Sequence, residues 1–298
     1  MTLRPARTAV LALLLASTLA ASLSAAPAVA EGPTDRGETP FWSEEFDGPA
    51  GTRVDPAVWT TKVGNRETQG WYNNELQYYT NYAGNSAYNG SGSLDITARR
   101  AVRSSRHPCW PSGFCDYTSA RLTTEGTVAL GWGRIDVRAK LPTGRGLLPA
   151  IWMLGETDEI WPAQGEIDIA EVVGHEPRTA YGTAHGPGYS GPDGIGHSTD
   201  LGAAASSGYH VFSVVKEPYK IHWLVDDVPV YTLTPDMLPP GSRWVYEQGM
   251  HLLLNVAVGG DWPGSPTRTT KFPATMSVDY LRMYGTGWVD GQMVHSPS

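Results

Sequence analysis

An all-β fold is predicted for this chain of 298 residues, and three observations predict it. Helix signals are scarce. Short segments rich in β-branched and aromatic residues recur along the sequence. Turn clusters separate them: NGSG, PTGRG, HGPGYSGPDG, PPGS and GGDWPGSP. Many short strands punctuated in this way make a two-layered sandwich or a closed barrel.

Residues 1–30 stand apart from that pattern. Arg4 and Arg7 precede the apolar run VLALLLASTLAASL, and Ala28-Val29-Ala30 offers the small side chains of a cleavage site. That is the layout of a secretory signal. The expected mature chain is residues 31–298, one β-sandwich domain with short terminal tails, working outside the cell. No later stretch is long and apolar enough to span a membrane.

Along that domain the strand candidates are LDITARR (94–100), GRIDVRAK (133–140), LLPAIWML (147–154), YHVFSVV (209–215), YKIHWLVDD (219–227), MHLLLNVAV (250–258) and MSVDYLRMY (276–284). Ile135, Val137 and Ala139 alternate with Arg134, Asp136, Arg138 and Lys140, the period of a half-buried strand. LLPAIWML and LLLNVAV lack such alternation, which predicts burial on both faces. The tail after Tyr284 reads as short and polar.

Cys109 and Cys115, in CWPSGFC, are the only cysteines. In an exported chain such a pair predicts a disulfide closing a small loop. The net charge of −8 is modest, and no basic patch interleaves with aromatics, so a nucleic-acid partner is not expected. The 11 Trp, 14 Tyr and 34 Gly suit a neutral, hydroxyl-rich ligand such as a glycan, and equally suit a sandwich core.

The densest chemistry lies in GEIDIAE (165–171). In a regular strand Glu166 and Asp168 share one face and Glu171 points to the other. One extra residue between Asp168 and Glu171 would form a β-bulge and align all three acids. Like charges along one face repel, so a purely structural row is disfavoured unless a cation or a glycan sits there. The plain alternative is a solvated edge strand with three incidental acids. Two carboxylates across one glycosidic bond hydrolyse it, one ionised and attacking, the other protonated and donating. Four effective steps of roughly 3.3 Å put the two Glu Cα atoms about 13 Å apart. Long side chains leaning together could then reach the carboxyl spacing of a retaining enzyme.

With these residues the sequence resembles glycoside hydrolase family 16, whose signature is E-x-D-x-x-E. The likeness extends over GWYNNELQYYT (70–80), YTSARLTTEG (117–126), GRIDVRAKLPTGRG (133–146), WPAQGEIDIAEVVG (161–174), YGTAHGPGYSG (181–191), LLLNVAVGGDWPG (252–264) and MSVDYLRMY (276–284). Within the family it is most similar to bacterial laminarinase-like endo-β-1,3-glucanases. The resemblance implies a two-sheet, concanavalin A-like β-jelly roll with a concave glycan cleft. It implies Glu166 as nucleophile, Asp168 as assisting acid and Glu171 as acid/base, with no cofactor in the chemistry. It places Asn73, Trp152, Trp161 and His185 along the substrate, and reads Asn73, Glu75 and Gln77 as one strand face. It also implies a structural Ca²⁺ held by backbone oxygens near Glu45 and Gly90 and by the Asp279 carboxylate.

Departures from the family bear on substrate choice. Leu148 stands where relatives carry the first Trp of their G-L/I-W-P-A-F-W stretch. Lys216 replaces a frequent Trp, and Ala170 a larger residue. The expected activity is secreted, retaining endo-hydrolysis of a β-1,3-glucan by a monomer with a neutral polysaccharide as its partner. Mixed-linkage β-1,3/1,4-glucan, β-1,3-galactan and transglycosylation are the enzymatic alternatives. A lectin-like module is the non-enzymatic one, and it gives the three acids no purpose.

Overall fold

The computed structural model describes residues 39–102 and 104–297. The predicted signal, residues 1–30, lies outside them. In chain order the strands of the first half are β1 (Trp42–Glu44), β2 (Thr60–Lys62), β3 (Gln77–Tyr79), β4 (Ser86–Tyr88), β5 (Leu94–Arg100), β6 (Tyr117–Ser119), β7 (Arg121–Thr123), β8 (Val128–Lys140) and β9 (Leu147–Gly155). Those of the second half are β10 (Glu166–Glu171), β11 (Thr179–His185), β12 (Ile195–Asp200), β13 (His210–Glu217), β14 (Lys220–Val225), β15 (Val228–Leu233), β16 (Met250–Val258), β17 (Ala274–Val289) and β18 (Gln292–His295). Among the described residues, helical structure is confined to single short turns.

Antiparallel pairing lays β2, β7, β16, β9, β10, β11 and β12 side by side in one layer. The other layer runs β4, β5, β17, β8, β13, β14, β15. The two are joined through β8, where Ala129 and Leu130 pair with β16 while Gly133–Ala139 pair with β13. The core lies between them: Ile135, Val137, Val214 and Leu281 meet Ile167, Leu252, Leu254 and Val256, all fully buried. Each such side chain contributes about 1.5–3 kcal/mol by leaving water.

The predicted strands are present, with three corrections. β16 is buried throughout, as its unbroken apolar run predicts, but β9 is not. Leu147, Ile151 and Met153 enter the core, whereas Leu148, Trp152 and Leu154 are half-buried on the opposite face. Nor is the chain after Tyr284 a simple tail. β17 continues to Val289 and returns as the hairpin strand β18. Last, GWYNNELQYYT forms a strand only at Gln77–Tyr79, with a single bridge from Glu75 to Gly259 before it. Trp71, Tyr72 and Asn74 adopt left-handed backbone angles in a tight coil, so Asn73 lies outside any strand face.

Candidate active site

The acids owe their alignment to β10. Gly165, at φ +78°, turns the chain into this strand, and a Cβ there would meet the Val245 carbonyl at 2.7 Å. Glu166, Ile167 and Asp168 pair regularly with Leu154, Met153 and Trp152 of β9. The register against β11 then slips, with Asp168 opposite Thr183 and Glu171 opposite Tyr181. Three steps on one strand face two on the other, which is the predicted bulge. It sends Ile167, Ile169 and Ala170 into the core and leaves Glu166 and Glu171 partly exposed. From β14 in the opposite layer, Trp223 Nε1 donates to the Asp168 carbonyl at 2.8 Å and pins the backbone there.

Two ring systems close on the first two acids. Trp161 Nε1 donates to Glu166 Oε2 at 2.8 Å. His185, the cross-strand partner of Glu166, holds Nε2 at 3.1 Å from Asp168 Oδ2 and 3.9 Å from Glu166 Oε1. Gly194 packs flat on this imidazole, since a Cβ there would meet its Cε1 at 2.3 Å. Tyr246 anchors the His185 carbonyl with its hydroxyl at 3.0 Å. Burial opposes a charge on His185, but the hydrogen bond to Asp168 and the charges of Asp168 and Glu166 outweigh it and raise its pKa.

Compensation is unequal between the two glutamates. Burial, then the charge of Asp168, pushes the Glu166 carboxyl above its ordinary range. His185, the Trp161 donor and Arg121 offset part of that. Glu171 is pushed well up by burial first, then by Asp168 and Glu166, and no opposing group acts on it. Of the two, Glu166 therefore ionises more readily and Glu171 holds its proton more tightly.

Trp152 stands opposite Asp168 on β9, with its Nε1 donating to Asn255 Oδ1 at 2.7 Å. Sequence reasoning missed its neighbour Arg121, whose guanidinium lies 4.5 Å from the Trp152 ring and 4.7 Å from the Trp71 ring. A lone Arg between Ala120 and Leu122, both fully buried, was the signal available. It was also missed that Glu75 is the buried acid of its loop, bonded by Gln77, with Asn73 serving it from an exposed position. Burial raises the Glu75 pKa, and Arg121 chiefly opposes this. At the Glu171 end, Tyr181 and the exposed Trp262 form an edge-on pair 5.0 Å apart. Leu148 shares the half-buried face of Trp152, two residues beyond Ala150, the partner of Glu171. Lys216 lies apart from all of these. It is fully buried, with Nζ donating to the Gly131 carbonyl at 2.6 Å and set 3.7 Å from the Trp132 ring.

Among the described residues, Glu166, Asp168 and His185 alone bring three metal-grade ligand atoms within 4.8 Å of one another. The one carboxylate expected at the calcium, Asp279, is already engaged, and so is the side chain of Glu45, whose backbone was the expected ligand. Glu45 takes both ends of the Arg282 fork at 2.9 and 2.8 Å, and Asp279 Oδ2 accepts from Arg138. Gly90, at φ +78°, packs on Ala50. The fit for Ca²⁺ is thus restricted to backbone carbonyls and the second Asp279 oxygen. Cys109 and Cys115 are disulfide-bonded, and Arg66 grips that loop at the Cys109 carbonyl, 3.1 Å away.

The chain matches the model of glycosyl hydrolases family 16 over residues 74–282. It is 38% identical to a beta-glucanase of Rhodothermus marinus, over 84% of this chain and 85% of that one. The laminarinase catalytic domain of Thermotoga maritima superimposes with a TM-score of 0.75 at 43% identity, covering 82% of this chain and 97% of the other. For the endo-beta-1,3-glucanase of Pyrococcus furiosus the TM-score is 0.75 at 42% identity, with coverage of 83% and 95%. The two packed layers are thus those of the jelly roll, and the chain belongs to glycoside hydrolase family 16.

Proposed function

We propose that this glycoside hydrolase is a retaining endo-β-1,3-glucanase, with Glu166 as nucleophile, Glu171 as acid/base and Asp168 assisting. One observation carries the assignment: the bulge between Asp168 and Glu171 aligns acids whose charges are unequally compensated. Glu166, with a donor and a cationic neighbour, is suited to ionise and attack the anomeric carbon. Its negative charge leaves with the new glycosyl–enzyme bond. Glu171 gives its proton to the departing sugar oxygen, then takes one from the water that releases the product. Asp168, hydrogen-bonded to His185, sits in the same row, and its charge raises the proton affinity of both glutamates. Trp152 and Leu148 on β9, with Trp161 and Asn73 from flanking loops, are read as substrate contacts. The beta-glucanase, laminarinase and endo-beta-1,3-glucanase relatives support a β-1,3-glucan as substrate.

The test is a product-resolved digest of laminarin, curdlan, lichenan and β-1,3-galactan by the protein and its variants. Glu166→Gln and Glu171→Gln are each expected to lose at least about 10²–10⁴-fold in turnover while staying folded. Early products should carry the β configuration by proton NMR. Full activity in either variant, or an initial burst of α product, defeats the assignment. Secretion after cleavage near Glu31 and a monomeric state complete the reading, checked by intact mass and light scattering of the exported protein. A Ca²⁺ on the Glu45, Gly90 and Asp279 oxygens would be structural, and the chelated protein should then melt earlier than the calcium-loaded one.

A further inference from the structure

A second concavity, of about 190 Å³, opens on the outer face of the other layer. On β8, Arg134 and Asp136 point away from the core that Ile135 and Val137 enter. On β17, Tyr280, Arg282 and Tyr284 share that outer face, with Arg282 opposite Asp136 and Tyr284 opposite Arg134. Asp227, from the turn after β14, closes one side.

Arg134 is the unusual group. It is only 8% exposed, yet Nη1 finds no acceptor among the described residues. Its other nitrogens are committed: Nε to Asp136 at 2.5 Å, Nη2 to Asp227 at 2.6 Å and to Ser213 Oγ at 3.3 Å. A buried donor held rigid by three partners, with both N–H groups of Nη1 unused, is costly unless something else accepts from it. Arg134 faces Asp136 and Asp227, and Arg282 is paired with Glu45, so these side chains together carry one excess negative charge. That excess disfavours an anion, and a bare cation has no lone pair with which to accept from Arg134. A neutral ligand with hydroxyl oxygens fits better: it accepts from Arg134, donates to a carboxylate, and lays its C–H face on tyrosine. The volume is below the roughly 300–1,000 Å³ of drug-sized sites, which limits it to about one ring.

We propose that this concavity is a secondary sugar-binding site, taking one pyranose unit of a neutral glucan on the face away from the catalytic acids. The choice of β-glucan as the ligand rests on the function proposed above; the neutral sugar chemistry does not. Such a site holds the enzyme on a polymer whose cleavage takes place elsewhere on the molecule, so its effect should be confined to long or insoluble substrates.

The experiment is affinity electrophoresis of the Glu166→Gln protein, with and without Tyr280→Ala/Tyr284→Ala, in gels containing laminarin, lichenan or β-1,3-galactan. The tyrosine variant is expected to raise the apparent Kd for at least one neutral glycan three- to tenfold. In the active background, its hydrolysis of a short soluble oligosaccharide should match that of the parent. Val211→Lys, which fills the concavity from its rim and removes none of the polar groups, should reproduce the loss and guards against a tyrosine variant that misfolds. Unchanged mobility of both variants in every gel overturns the proposal. A gel digested by the Glu166→Gln protein would instead refute the role given to Glu166, and the mobility comparison would still report on the outer site.

Discussion

Burial, then Asp168, raises the proton affinity of Glu171, and no described neighbour opposes them. If Glu171 must be protonated to act, activity is lost as pH rises through its pKa. Removing the neighbouring charge lowers that pKa, so Asp168→Asn should move the alkaline limb of kcat/KM toward acid. The acid limb carries opposing effects, because the same change also relieves Glu166 and uncouples His185. An unmoved alkaline limb in an active, folded variant would remove Asp168 from the electrostatic account. At the other end of the row, Leu148 lies on the face that leads to Glu171 and away from the core. Leu148→Trp should lower KM on long β-1,3-glucan with little change in kcat, since stacking there binds ground and transition states alike. A lower melting temperature with unchanged dependence on oligosaccharide length would mean that the ring overpacks and meets no sugar.

At the scale of the element, legibility followed how local the cause was. The bulge was readable because Glu166, Asp168 and Glu171 have the wrong parity for one face, and parity is a property of consecutive residues. β16 was readable as doubly buried for the same reason. β9 misled because Leu148, Trp152 and Leu154 are apolar on a face that is not core, and an apolar side chain does not state which layer it meets. The coil at Gly70–Asn74 was illegible. Left-handed angles at Trp71 and Tyr72 go with contacts from other parts of the chain, such as Arg121 at 4.7 Å from the Trp71 ring. Arg121 was missed because its meaning lies in two rings from other elements. The loop closed by Cys109–Cys115, with a sequence separation of 6, makes a local prediction in turn. Chain entropy gives so short a closure about 2 kcal/mol. A double Cys→Ser variant should melt several degrees earlier by calorimetry and keep the parent's pH profile and products. A folded variant without activity would tie the loop to the site.

For the molecule as a whole, β17 is the strand on which the outer layer depends. Its residues pair with β1, β5, β8 and β18. A chain ending at Pro273 should show no cooperative thermal transition by circular dichroism, whereas one ending at Asp290 loses only β18 and should melt cooperatively. A cooperative transition in the shorter chain would show that the remaining strands close without it. The position of β17 also sets a timetable. It is made roughly 130 residues after β8, its longest partner. At about 5–20 residues per second that interval lasts around 7–26 s, during which β8 has an open edge. Strand order therefore delays closure of this layer, and the waiting edge of β8 needs protection from stray pairing until the late strand arrives.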